Sequence, residues 1–265
     1  SSSCGINLKM GFDENFKICN FDIESKLIDF TLPFSESGRS FSILHSLVTG
    51  ASPEIKRILD LPDRETTLNF FKKYHSSFNG KTKERFKLND YEIWTRFHSL
   101  LNYFEFTKNE VIEILQLMAF ILLCNEAAIG KKRTSTGDEY VINKSIGSKK
   151  LAKNLNIEED DFLKKFGTFK DISEMQNCLI SMMKYAYYVI FEYIKNKVKS
   201  NLNIYFEKYR PHKRGSKMQV DQSFSQINSD IKNIYFFDIP GEIKDQTLGG
   251  IFTNLTNECL NLYTG

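Results

Sequence analysis

Near the end of the chain, Asn233-Ile234-Tyr235-Phe236-Phe237-Asp238 runs without a break into Ile239-Pro240-Gly241-Glu242. Aromatic and β-branched residues packed this densely read as a buried strand, which commits the fold to a sheet. The strand delivers an Asp-x-x-Gly turn. An acid at the end of a buried strand can hold a magnesium-bound water, and a glycine three residues on lets a backbone N–H approach a phosphate oxygen. Strand-Asp-turn-Gly is also ordinary turn chemistry, so the flanking sequence has to decide between the two readings.

A chain of 265 residues with 41% hydrophobic side chains can bury a core as one large domain or two small ones. The 36 basic and 33 acidic residues leave a net charge of +3, too even to argue for nucleic acid. The five cysteines (Cys4, Cys19, Cys124, Cys178, Cys259) are scattered and contain no Cys-x-x-Cys, which fits a reducing cytosol better than a disulfide framework. The four histidines share no metal-ligand spacing. The longest apolar stretch, residues 114–123, is far shorter than a bilayer span and contains Gln116, so it reads as core.

Residues 6–12 and 16–23 alternate around Asp13-Glu14-Asn15, a hairpin signal. With residues 233–238 they make the expected small sheet of a predominantly helical α+β fold. A helical pattern carries Phe41, Ile43, Leu44, Leu47 and Val48 and stops at Gly50. His45 on its apolar face reads as structural rather than catalytic. Asn89-Asp90 is read as the cap of a helix bearing Trp94, Phe97, Leu100 and Leu101. Thr107-Lys108-Asn109-Glu110 is a capping box ahead of a helix apolar on nearly every face, the expected centre of the domain. Gly130-Lys131-Lys132-Arg133-Thr134-Ser135-Thr136-Gly137 reads as a basic flexible loop. Residues 145–166 give two short amphipathic helices, and residues 172–202 one long one. Residues 203–230 read as a polar surface insertion.

Several of these stretches resemble the myosin motor domain. Thr256-Asn257-Glu258-Cys259-Leu260 matches the Thr-Asn-Glu-x-Leu signature of the relay helix, and Asp238-Ile239-Pro240-Gly241 matches switch II. Ser1, Ser2 and Gly5 fall on the Ser-Ser-Arg-Phe-Gly pattern of switch I. The stretch from Gly38 to Ala51 is similar to the family's Gly-Glu-Arg-Asn-(Phe/Tyr)-His-Ile-Phe-Tyr-Gln-Leu-Leu-x-Gly-Ala. Kinesins share the switch elements with a short segment between them; here Ser2 and Asp238 stand nearly a whole chain apart. The resemblance implies a partial motor domain excised from a longer chain. Residues 1–232 would be chiefly the upper half of the actin-binding cleft, and residues 233–265 switch II and the start of the relay helix.

The resemblance further implies an actin-based, ATP-dependent motor of the cytoplasm and cytoskeleton as the parent, with light chains as possible partners. Ser2 and Asp238 would serve the Mg²⁺ of bound ATP, Ser1 would lie beside the attacking water, and the Gly241 N–H would meet the γ-phosphate. Lys131, Lys132 and Arg133 lie where the family has an actin-contacting surface loop. Gly167-Thr168-Phe169-Lys170-Asp171 is much shorter than a second such loop. The Gly-x-x-x-x-Gly-Lys-Thr phosphate loop is missing from these residues, so the isolated chain is expected to be inactive and to carry no bound nucleotide. Ser3 replaces the switch I arginine and Ile243 the switch II glutamate, removing both halves of an ion pair whose single loss strands a charge at about 3–5 kcal/mol. A myosin-like structural or cargo-binding module with a decayed ATPase is the other reading.

Overall fold

The computed structural model describes residues 5–26, 41–62, 68, 80–124, 126–127, 129–135, 137–142, 147–208 and 232–238. It is a mostly helical α+β fold with two small three-stranded antiparallel sheets. Two compact units divide the chain: Ser1–Thr31 with Glu192–Gly265, and Leu32–Phe191.

In the first unit, β1 (Gly5–Phe12) and β2 (Ile18–Lys26) form the expected hairpin. Asp13 closes it, its Oδ1 accepting the N–H of Asn15 and of Lys17, each at 2.9 Å. Phe16 belongs to the turn rather than the strand, with φ at 57° and an exposed ring. The third strand of this sheet comes from the far end of the chain, in the order β2-β1-β6, where β6 is Lys232–Asp238. Residues 6–12 and 233–238 therefore meet as the sequence patterning implies.

The second unit holds α1 (Ser42–Gly50), α2 (Pro53–Ile58), α3 (Gly80–Tyr103) and α4 (Lys108–Cys124). The sheet of β3 (Ile129–Thr134), β4 (Gly137–Ile142) and β5 (Thr168–Phe169) has α5 (Lys149–Asn154) and α6 (Glu159–Phe166) between its last two strands in sequence. The long α7 (Ile172–Lys208) begins in this unit and ends in the other. The capping box forms: Thr107 N–H donates to Glu110 Oε2 at 2.6 Å, and Glu110 N–H to Thr107 Oγ1 at 3.3 Å. Beyond it, residues 118–122 of α4 are buried to within 2% of complete, which makes this helix the centre of the unit's core.

Four local expectations need correcting. Asn89 and Asp90 do not begin a helix; α3 runs through them from Gly80, and Asp90 is buried at 2% exposure. Lys, Glu, Arg and Leu in the preceding residues are good helix formers and carry the helix back by more than two turns. Residues 130–135 and Gly137 are not a flexible loop but part of the β3–β4 hairpin, with Arg133 opposite Asp138 and Lys132 opposite Glu139. Thr168 and Phe169, read as part of a short loop, form β5 against β4. Residues 203–208, assigned to the insertion, continue α7. The remainder of that insertion and the relay-like stretch lie outside the described residues.

Gly50 ends α1 where α3 crosses closest. A Cβ at this position would stand 2.5 Å from the Trp94 Cβ and 2.6 Å from its Cγ. Those atoms sit near the backbone of a packed helix and cannot move aside cheaply. Gly50→Ala should cost about 1–3 kcal/mol through overpacking, measured as a lower urea midpoint with an unchanged slope; a loss below a few tenths would mean α1 and α3 can separate freely.

Candidate functional site

The antiparallel register pairs Ile6 with Asp238, Leu8 with Phe236 and Met10 with Ile234. Because β1 starts at Gly5 and β6 stops at Asp238, the chain entering β1 and the chain leaving β6 emerge at the same end of the sheet. Ser1, Ser2 and Gly241 lie outside the described residues, as do Ser3 and Ile243. Asp238 is placed as the last residue of β6. The structure thus brings together the two strands that would carry the site.

The expected burial of residues 233–238 is not found. Ile234, Tyr235, Phe236 and Phe237 are 47–50% exposed, on both faces of the strand. Among the described residues β6 is an edge of a three-stranded sheet with β1 as its neighbouring strand, and its aromatic side chains pack along the strand. Tyr235 and Phe237 stack at 6.4 Å, and the Lys9 ammonium lies 5.8 Å from the Tyr235 ring centre.

The opposite edge is treated differently. Phe21 in β2 turns its backbone outward, and the Asn203 amide of α7 takes both groups: Phe21 N–H donates to Oδ1, and Nδ2 donates to Phe21 O, each at 2.9 Å. A side-chain amide here imitates one residue of a neighbouring strand. Further along, Lys199 pairs with Asp22 at 2.6 Å, and Ser25 donates to Glu192, which also receives Lys195. The hydrogen bond from Lys199 holds the Asp22 carboxyl below its ordinary value. Burial works to raise Glu192, but hydrogen bonds from Lys195 and Ser25 outweigh it and the net shift is downward.

The basic residues of the second sheet are exposed on β3. Lys131 pairs with Asp138 at 2.8 Å, and this bond raises the lysine above its usual value. With Asp138 and Glu139 facing the three cations across the hairpin, little net positive charge is left. The signal for a hairpin was Asp138-Glu139 behind Gly137, just past the end of the range read as loop.

Among the described residues no group of histidine, cysteine and acidic side chains could hold a metal ion, and no helix is long and apolar enough to cross a membrane. His45 is buried at 2% exposure, in keeping with a structural role. Cys19, Cys124 and Cys178 are free thiols, and burial pushes Cys124 far up, out of reach of ordinary thiolate chemistry. Known protein families and curated proteins yield no match to this chain.

Asp22 and Glu192 both have native values below their unfolded ones. The stability they contribute is complete above the unfolded carboxylate values of about 4 and is lost as the pH falls through the lower native values. Acid titration of the folded chain, followed by urea unfolding, should show this loss. Lys199→Met should flatten the part due to Asp22; an unchanged acid limb would mean the pair does not persist in solution.

Proposed function

We propose that the chain is a segment of a divergent myosin motor domain, whose parent is an actin-based, ATP-dependent motor. The observation that supports this best is the Ile6–Asp238 register. Two stretches that resemble switch I and switch II, nearly a chain length apart, flank strands that pair so that both stretches leave one end of one sheet. A nucleotide phosphate needs a metal-ligating hydroxyl and an acid from separate segments at one place, and strand pairing supplies that convergence. Ser2 and Asp238 are the residues that would hold Mg²⁺, with Ser1 toward the attacking water and the Gly241 N–H toward the γ-phosphate. Bound Mg·ATP supplies the transferable phosphoryl group. The cradle for its remaining phosphates would have to come from a loop outside these residues.

For actin, the β3–β4 hairpin is the proposed contact. Lys132 and Arg133 are the cations to test, since Lys131 is tied to Asp138. The small surplus of positive charge implies a weak and salt-sensitive association. That near-neutral hairpin is also what favours the other reading, a myosin-like structural or cargo-binding module with a decayed ATPase.

The 265-residue chain should show negligible heat with Mg·ATP in calorimetry; micromolar affinity would contradict the need for a separate phosphate cradle. Joined to a phosphate loop N-terminal to Ser1, it should hydrolyse ATP. Asp238→Asn should then lower the rate by about a hundredfold or more, the scale of removing one preorganised charged group. Full activity in that variant would reject the switch II assignment. In co-sedimentation with actin filaments at low salt, the paired change Lys132→Glu and Arg133→Glu should abolish pelleting; pelleting that survives it would move the contact elsewhere.

A further inference from the structure

Away from the sheet edge, within the second unit, a cleft of about 450 Å³ opens between α2, the end of α3 and the start of α4. Its volume lies in the range of small-molecule sites. The floor is apolar and buried: Leu59, Phe106 and Leu115 are exposed by 1%, 6% and 3%. The walls carry Ile58 and Ile112, which are 50% and 42% exposed and stand ready to lose water to a ligand. Only three polar side chains line it, His98, Asn102 and Lys108, and there is no carboxylate among the lining residues.

Those three offer donors. The Asn102 amide nitrogen lies 3.4 Å from His98 Nδ1; with Asn102 donating there, Nε2 is the imidazole nitrogen that would carry the N–H. Lys108 is exposed and makes no ion pair among the described residues. The nearest acid in sequence, Glu110, is turned back onto the Thr107 N–H by the capping box. An ammonium and an imidazole N–H at the rim of an apolar trough match one planar anion with two acceptor oxygens on an apolar tail. A phosphate dianion would call for more cations and would leave the trough empty.

We propose that this cleft binds a small amphipathic carboxylate of medium chain length, its tail along Leu59, Phe106 and Leu115 and its headgroup at Lys108 and His98. The inference is independent of the motor reading, because no residue of the switch-like segments takes part.

The chain carries its own reporter. Trp94, the only tryptophan, lies with its ring centre 6.2 Å from that of His98, and lines an adjoining cleft that shares His98 and Ile55. The whole chain would be titrated with decanoate, decanol and decylammonium below their micelle concentrations, with Trp94 emission as the signal. Decanoate should give a saturable change, and decanol should bind at least about tenfold more weakly, the worth of one charge-assisted hydrogen bond. Decylammonium should not bind. Lys108→Glu places an acid at a helix N-terminus, where it is tolerated, so the fold should survive. In that variant decanoate should weaken by at least about tenfold and decylammonium should gain a saturable signal. Equal binding of decanoate and decanol, a response indifferent to Lys108→Glu, or no saturable response at millimolar decanoate would each overturn the proposal. So would sedimentation showing that a second copy of the chain, or a peptide, covers Ile58 and Ile112 instead.

Discussion

Among the described residues, the sheet of the first unit depends on β1 and β6 finding one another across almost the entire chain. A hairpin of β1 and β2 alone is marginal in water, since two strands cannot bury a face. The third strand turns it into a sheet, at the entropic expense of closing a very long loop. That expense grows only slowly with length, so what must be specific is the register. Alternation supplies it: a slip by one residue would exchange Leu8 and Met10 for Asn7 and Lys9 on the face shared with Phe236 and Ile234.

α7 reinforces this arrangement from the other side. Its second half runs beside β2 and meets it at Glu192, Lys195, Lys199 and Asn203, positions three or four apart on one helical face. The contacts are polar; the Lys199–Asp22 pair is well exposed and contributes modestly, while Lys195 and Glu192 are more covered. Their value lies in fixing the helix axis along the strand. The second unit rests on a different principle, an apolar helix wrapped by others. Phe41 shows how tightly the first helix there is held: a left-handed φ of 49° in a bulky residue persists beside a ring contact to Tyr187 at 3.8 Å.

Much of this was legible in the residues, and the failures have physical causes. Strands 5–12 and 232–238 announced themselves by alternation and aromatic density, and α4 by its capping box. The burial of β6 was not legible, because aromatic density reports a tendency to be covered and not whether a neighbour is there to do it. β3 was missed since Lys-Lys-Arg carries no apolar alternation; it is a strand because β4 offers acids at the matching register. The polar pair Asn89-Asp90 looks like a cap, but a cap needs a chain that is not already helical. The cleft at His98 could have been suspected from an i, i+4 histidine and asparagine, though its floor of Leu59, Phe106 and Leu115 comes from three separate segments.

The two borders of the first sheet are chemically unlike. One is met at Phe21 by the Asn203 amide standing in for one residue of a strand, while the other, β6, has pairing partners on β1 alone among the described residues. Among the described residues, lengthening of this sheet is therefore easier at β6 than at Phe21 of β2. A further strand can join beside Tyr235 and Phe237, where main-chain hydrogen bonding and aromatic side chains would act together, whereas at β2 it would first have to displace an amide that already satisfies the backbone.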